Sequence, residues 1–237
     1  MHTLIGNIRN AVRRTIRRLV CERKPSPSEH LQAYGFAAIK QVDRLFGENR
    51  ITYFADSGTL LGFVREHGFI PHDFDIDLSV TEDTDPCVVK DILVKNGFRF
   101  CHGFSYHGRI TELCFTYHGL TVDVFWTFVE GKLHWYHSCG RFDKSIRFPH
   151  RAKQAKKVLR PRVTGIIPWR IGDLQTRIPE NYTEILAAEY GPGWRVPDPH
   201  WTRDPNDPCR HIVPGFCYKF TSLEKELRNG CAHGRSI

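Results

Sequence analysis

A chain of 237 residues and 27.5 kDa suits a single α/β or α+β domain around one core. Its 41% apolar and 25% charged residues exclude disorder, collagen and coiled coil, and no apolar run reaches the roughly 18 residues that span a bilayer. No signal-peptide-like apolar segment opens the chain and the eight cysteines include no CxxC pair, so a cytoplasmic protein with reduced, mostly buried thiols is the expectation.

The charge of +8 is concentrated. Residues 1–24 carry seven Lys or Arg against Glu22, a net +6. Leu4, Ile8, Val12, Ile16 and Leu19 recur at helical spacing among these arginines, which predicts a basic amphipathic helix over 1–24. Such a helix either lies peripherally on an anionic cytoplasmic membrane face or packs its stripe on the domain. Nucleic acid ranks last as a partner, because no aromatic residue stands among these arginines to stack on bases.

The main domain is taken as 25–237. Ser26, Pro27 and Glu29 form a capping-box start for a helix with Leu31, Ala38, Ile39, Val42, Leu45 and Phe46 inward and Gly47 as its stop. Ile51–Asp56 reads as a strand, and Ser57-Gly58 opens a short helix whose free N–H groups favour a phosphate. From His72 to Val80 the chain alternates strictly, so a strand points Phe74, Ile76, Leu78 and Val80 into the core and Asp73, Asp75, Asp77 and Ser79 to the other face.

A helix entered through Asp85-Pro86 carries Val88, Val89, Ile92 and Leu93 inward. A hairpin turns at His118-Gly119, and its second strand places Asp123 among otherwise apolar positions, where it can stand beside Asp75 and Asp77. The stretch 140–177 reads as basic and irregular, its Lys144, Arg147, Arg151, Lys153, Lys156, Lys157, Arg160 and Arg162 suited either to an anionic ligand or to solvent. One more helix follows over 179–190, and the tail from Pro192 is rich in Pro, Trp and Asp. Cys209, His211, Cys217, Cys231 and His233 form a loose set whose spacing matches no zinc pattern.

Carboxylates 4 Å apart repel by about 4 kcal/mol at an effective dielectric of 20. No Lys or Arg alternates with these acids, so a divalent cation is the economical partner, and an all-oxygen site suits Mg²⁺ or Mn²⁺. An EF-hand loop is excluded, because Leu78 and Thr84 stand where it needs Gly and Glu. A metal-free acidic strand face is the rival reading.

The run from Asp56-Ser57-Gly58 through Arg65 and His72-Asp73-Phe74-Asp75-Ile76-Asp77-Leu78 resembles the signature of the LicD/fukutin family of phosphotransferases. Thr121–Phe125 and the pattern Ile178-Pro179, Leu186, Tyr190-Gly191, Trp194 and Pro197 continue it, so that the likeness covers roughly 30–200. This resemblance implies an α+β fold, with a nucleotidyltransferase-like mixed sheet flanked by helices and a helical or irregular C-terminal part. It also implies transfer of a phosphorylated alcohol such as phosphocholine, ribitol phosphate or glycerol phosphate from a CDP-linked donor to the hydroxyl of a glycan or cell-surface polysaccharide, with release of CMP.

Carried over by resemblance, Asp75, Asp77 and Asp123 hold the metal, Asp73 is a ligand or neighbour of it, and Ser57, Gly58 and Arg65 bind donor phosphate. His72 stands where many relatives carry Trp. Arg65 bound to one of the acids is the structural alternative to phosphate binding. Rival functions are nucleotidyl transfer from an NTP with release of pyrophosphate, and a catalytically silent membrane or polyanion-binding module.

Overall fold

The computed structural model describes residues 25–140, 152–204, 207 and 209–233, with 229–233 as backbone only. The predicted helix over 1–24 and the basic residues Lys144, Arg147 and Arg151 lie outside the described residues.

The first described helix, α1 (Pro27–Glu48), starts as its sequence dictates. The Ser26 hydroxyl accepts from the Glu29 N–H, and the Glu29 side chain accepts from Ser26 N–H. Its apolar stripe is buried as predicted, and each large side chain so buried contributes about 1.5–3 kcal/mol. Gly47 does not stop the helix. The Asn49 side chain donates to the Leu45 carbonyl at 2.8 Å and closes the last turn instead.

Strand β1 (Tyr53–Ala55) leads into α2 (Ser57–Arg65), then β2 (Asp75–Thr81), α3 (Pro86–Lys95) and three antiparallel strands, β3 (Arg99–Tyr106), β4 (Arg109–Tyr117) and β5 (Leu120–Glu130). The β4–β5 turn is the predicted one, with His118 at φ 49° and Gly119 at φ 85°, the paired left-handed residues of a two-residue hairpin. β5 lies parallel to β2 and antiparallel to β4. Val88 in α3 is exposed, so only Val89 and Leu93 of its predicted face are fully buried.

The chain continues through β6 (Leu133–Gly140), β7 (Ala152–Pro161), a small separate hairpin of β8 (Ile166–Ile171) and β9 (Leu174–Pro179), α4 (Tyr182–Tyr190), β10 (Arg210–Phe220) and α5 (Leu223–His233). The predicted α+β class holds, as a mixed eight-stranded sheet in the order β1-β2-β5-β4-β3-β10-β7-β6 flanked by helices. Its far edge returns to β5, because Phe128, Val129 and Glu130 pair with Trp135, His134 and Leu133 of β6. Strands β5-β4-β3-β10-β7-β6 therefore close on themselves, and β7 comes round towards the start of α2.

Three expectations give way here. The stretch 152–179 holds three strands, β7, β8 and β9, where irregular chain was expected, and the C-terminal part supplies β10 to the middle of the sheet. Phe74 precedes β2 and is exposed, while Ile76, Leu78 and Val80 are fully buried. Finally, Cys139 of β6 and Cys217 of β10 form a disulfide, contrary to the expectation of reduced thiols. Both strands flank β7. Among the described residues no helix is long and apolar enough to cross a membrane.

Candidate active site

Asp56 sits between β1 and α2 and is buried to 1% exposure. Its extended backbone and carboxylate make it the cap of α2, accepting from the Ser57 N–H at 2.7 Å, and its second oxygen accepts from the Ser79 hydroxyl of β2. Two backbone links fix this turn to the acid strand: the Asp56 N–H donates to the Asp77 carbonyl at 3.0 Å, and the Asp77 N–H donates to Thr59 Oγ1 at 2.9 Å. Ser57 is held at φ 47°, a conformation an L-residue adopts at a cost. Gly58 has a different reason to lack a side chain, since a Cβ there would lie 2.5 Å from Asp73 Oδ2.

The parallel register sets Asp77 directly opposite Asp123, and Asp75 two residue pairs away opposite Thr121. One carboxylate oxygen from each of Asp75, Asp77 and Asp123 lies within 4.8 Å of the others, close to the roughly 4 Å that two opposed ligands of one Mg²⁺ span. Asp123 Oδ1 is buried with no hydrogen-bond partner. A buried, unpartnered carboxylate oxygen facing two more carboxylates is the donor set of a hard divalent cation, so these residues fit one. Among the described residues it is the one group of three or more His, Cys, Asp or Glu so placed. Of the cysteine–histidine set, Cys217 is bonded to Cys139, and the side chains of Cys231 and His233 lie outside the described residues.

Burial, then the charges of Asp73 and Asp123, push the Asp75 carboxyl up to about 7. Burial raises Asp123 to about 6 against the pull of the neighbouring Cys114 thiol, and Asp77 is held well above the usual range by burial and by Asp75 and Asp123. Glu112 on β4, nearly buried, is pushed to about 8 by burial and then by Asp123.

These raised values fix a sign. The metal-free native state keeps protons that the unfolded chain, with ordinary carboxyls near 3.8, has released, so stability falls as pH rises through the window from about 4 to 7. The melting temperature of the metal-free protein is expected to drop between about pH 5 and pH 8, and a divalent cation to restore it chiefly at the upper end. A melting temperature flat across that range and indifferent to cation would contradict this.

Beside the triad opens a cleft of about 630 Å³, lined by Ser57, Gly58, Arg65, His72, Asp73 and Asp77 and, from later in the chain, by Glu189, Tyr190, Trp194, Trp201, Arg203 and Arg210. Of the predicted site residues it thus gathers Ser57, Gly58, Arg65, Asp73 and Asp77, while Asp75 and Asp123 join through the triad. Arg65 does not pair with the triad: its Nε donates to Glu66 at 2.7 Å and its Nη1 to the Trp194 carbonyl at 3.1 Å.

Sequence reasoning missed Glu189, Arg203 and Arg210 of the cleft lining and the buried charge paired with Glu189. Arg160 of β7, grouped above with ligand-contacting or solvent-facing basic residues, is 2% exposed and paired with Asp56 and Glu189. Burial opposes its charge, but these two carboxylates outweigh it and hold the guanidinium well above its ordinary value. For Asp56 burial is likewise outweighed, by Arg160 and Ser79, and its carboxyl lies below the ordinary range. The helical spacing of Ile185, Leu186 and Glu189 was the one available hint that Glu189 faces inward.

A capped Ser-Gly helix start, a strand bearing two acids beside it and a third acid on the parallel neighbour make a centre suited to a divalent cation and a phosphate. Residues 50–162 match the family model described as LicD/FKTN/FKRP, nucleotidyltransferase domain. The mouse protein named Ribitol-5-phosphate transferase FKTN is 25% identical over 154 residues, 64% of this chain and 31% of its own length. An uncharacterized protein of Rickettsia prowazekii (strain Madrid E) is 40% identical over 48 residues, 20% of this chain and 18% of its own, and one of Rickettsia typhi is equally similar over the same length. Each match spans less than a third of the relative's own length.

Proposed function

We propose that this protein transfers a phosphorylated alcohol from a CDP-linked donor to a glycan hydroxyl, releasing CMP, with Mg²⁺ or Mn²⁺ held by Asp75, Asp77 and Asp123. The observation that carries this reading is the unpartnered Asp123 oxygen in a three-carboxylate cluster beside a cleft large enough for a nucleotide. Bound there, the cation would supply charge neutralisation for the donor diphosphate.

The chain's own groups divide the remaining work. The N–H groups of Gly58 and Thr59, in the first turn of α2, have no helix carbonyl to reach and would receive a phosphate oxygen. Arg65 and Arg203 line the cleft and would bind phosphate. Asp73, beside Gly58, would take the proton of the acceptor hydroxyl as its oxygen bonds to the phosphorus bearing the alcohol. The bond from that phosphorus to the bridging oxygen breaks in the same displacement, and CMP leaves with the electron pair.

The test incubates the protein and Mg²⁺ or Mn²⁺ with CDP-choline, CDP-ribitol, CDP-glycerol and NTPs in turn, together with a panel of glycan acceptors. CMP formed from one CDP-alcohol supports the proposal. Pyrophosphate formed from an NTP, with every CDP-alcohol left intact, would replace it with nucleotidyl transfer.

A further inference from the structure

We infer that Arg160 is a positioning residue for the phosphate end of the cleft, fixing the first turn of α2 against the acid strand and tying that turn, through Glu189, to the cleft-lining Arg203 and Arg210. Its kinetic consequence rests on the proposed phosphotransfer, and its conformational consequence does not.

Four parts of the fold meet on this one guanidinium. Nη1 donates to Asp56, the cap of α2. Nη2 faces Tyr136 Oη of β6 at 2.7 Å, Glu189 Oε2 of α4 at 2.9 Å and Ser57 Oγ at 3.2 Å. The guanidinium also lies over the Tyr136 ring, 4.7 Å from its centroid. The other oxygen of Glu189 accepts from Arg210 at 2.8 Å and from Arg203 at 3.3 Å, and both of these arginines line the cleft. Arg160 itself is absent from the cleft lining, so it acts on a ligand only through the groups it holds.

Ser57 is the group that most needs holding. Its left-handed backbone is unfavourable for a residue with a side chain, and it persists where the surroundings over-determine it. Arg160 binds the Ser57 hydroxyl and, on the same side, the Asp56 carboxylate that accepts the Ser57 N–H. Without both contacts the turn can relax, and the N–H groups beyond it lose their aim into the cleft. A planar fork reaches these partners together, whereas a lysine ammonium keeps the charge pair with Asp56 and cannot also span Tyr136, Glu189 and Ser57.

The test therefore uses Arg160→Lys, which retains the buried charge, and reads amide hydrogen exchange in the metal-free protein beside steady-state kinetics. Exchange of the hydrogen-bonded amides of this turn, Ser57 and Leu60, is expected to quicken by about tenfold or more, with the β3–β4 hairpin unchanged. For whichever donor the wild type turns over, KM is expected to rise about tenfold with kcat changed much less. Unchanged exchange at Ser57 and Leu60, or an equal quickening throughout the sheet, would overturn the inference. A wild type inactive with every donor would instead count against the proposed function, and the exchange result would still decide the role of Arg160.

Discussion

Asp77→Asn is expected to lower turnover by about a thousandfold or more while leaving the fold intact, because it removes a central charge from the only described carboxylate triad. The exchange is nearly isosteric, and the structural bonds at this position are made by its backbone, whose N–H reaches Thr59 and whose carbonyl accepts from Asp56. The side-chain charge is a liability to the metal-free protein, held as it is beside Asp75 and Asp123. At about pH 8 the metal-free variant should therefore melt above the metal-free wild type, and the rise that a divalent cation gives the wild type should vanish. Turnover and melting temperature, each measured with and without Mg²⁺, check both halves. A variant that keeps its activity, or one that melts well below the wild type, would contradict the assignment.

Arg160→Met should cost about 3–5 kcal/mol of stability, the range for removing one partner of a buried ion pair. Asp56 bears most of the loss. It keeps the Ser57 N–H and the Ser79 hydroxyl but is left buried without a counter-charge, whereas Glu189 still has Arg203 and Arg210. An exposed pair such as Arg44 with Glu48 on α1 sets the contrast, since its removal should cost no more than about 1 kcal/mol. Urea unfolding of the two variants, Arg160→Met and Glu48→Gln, measures the difference directly. Equal and small losses would mean that the Asp56–Arg160–Glu189 chain is screened by water and does not organise the site.

The legible parts of this fold are those in which one local rule decides the outcome. Ser26, Pro27 and Glu29 meet a capping box within four residues, His118-Gly119 meets a two-residue turn, and the alternation of Asp75 to Val80 meets a strand with acids on one face. The triad followed from that alternation together with Asp123, though its register across two parallel strands came only from the structure. Strand β7 was hidden because its inward positions are Ala152, Gln154, Ala155, Val158 and Arg160, a set with a single β-branched residue and a charge where an apolar side chain is expected. A bulge between Val213 and Phe216 broke the period of β10, and the disulfide joins residues 78 apart in sequence. Closure of the sheet, which brings β7 to α2 and makes Arg160 a site residue, is a long-range consequence that no local pattern carries.

The central claim is that Asp75, Asp77 and Asp123 form a divalent-metal centre, and equilibrium binding of Mn²⁺, followed by electron paramagnetic resonance at about pH 7.5, tests it without knowledge of donor or acceptor. The wild type should take up Mn²⁺ with a competition by Mg²⁺, and Asp77→Asn should bind at least about tenfold more weakly. Equal Mn²⁺ binding by the two proteins, or none by the wild type, would contradict the account.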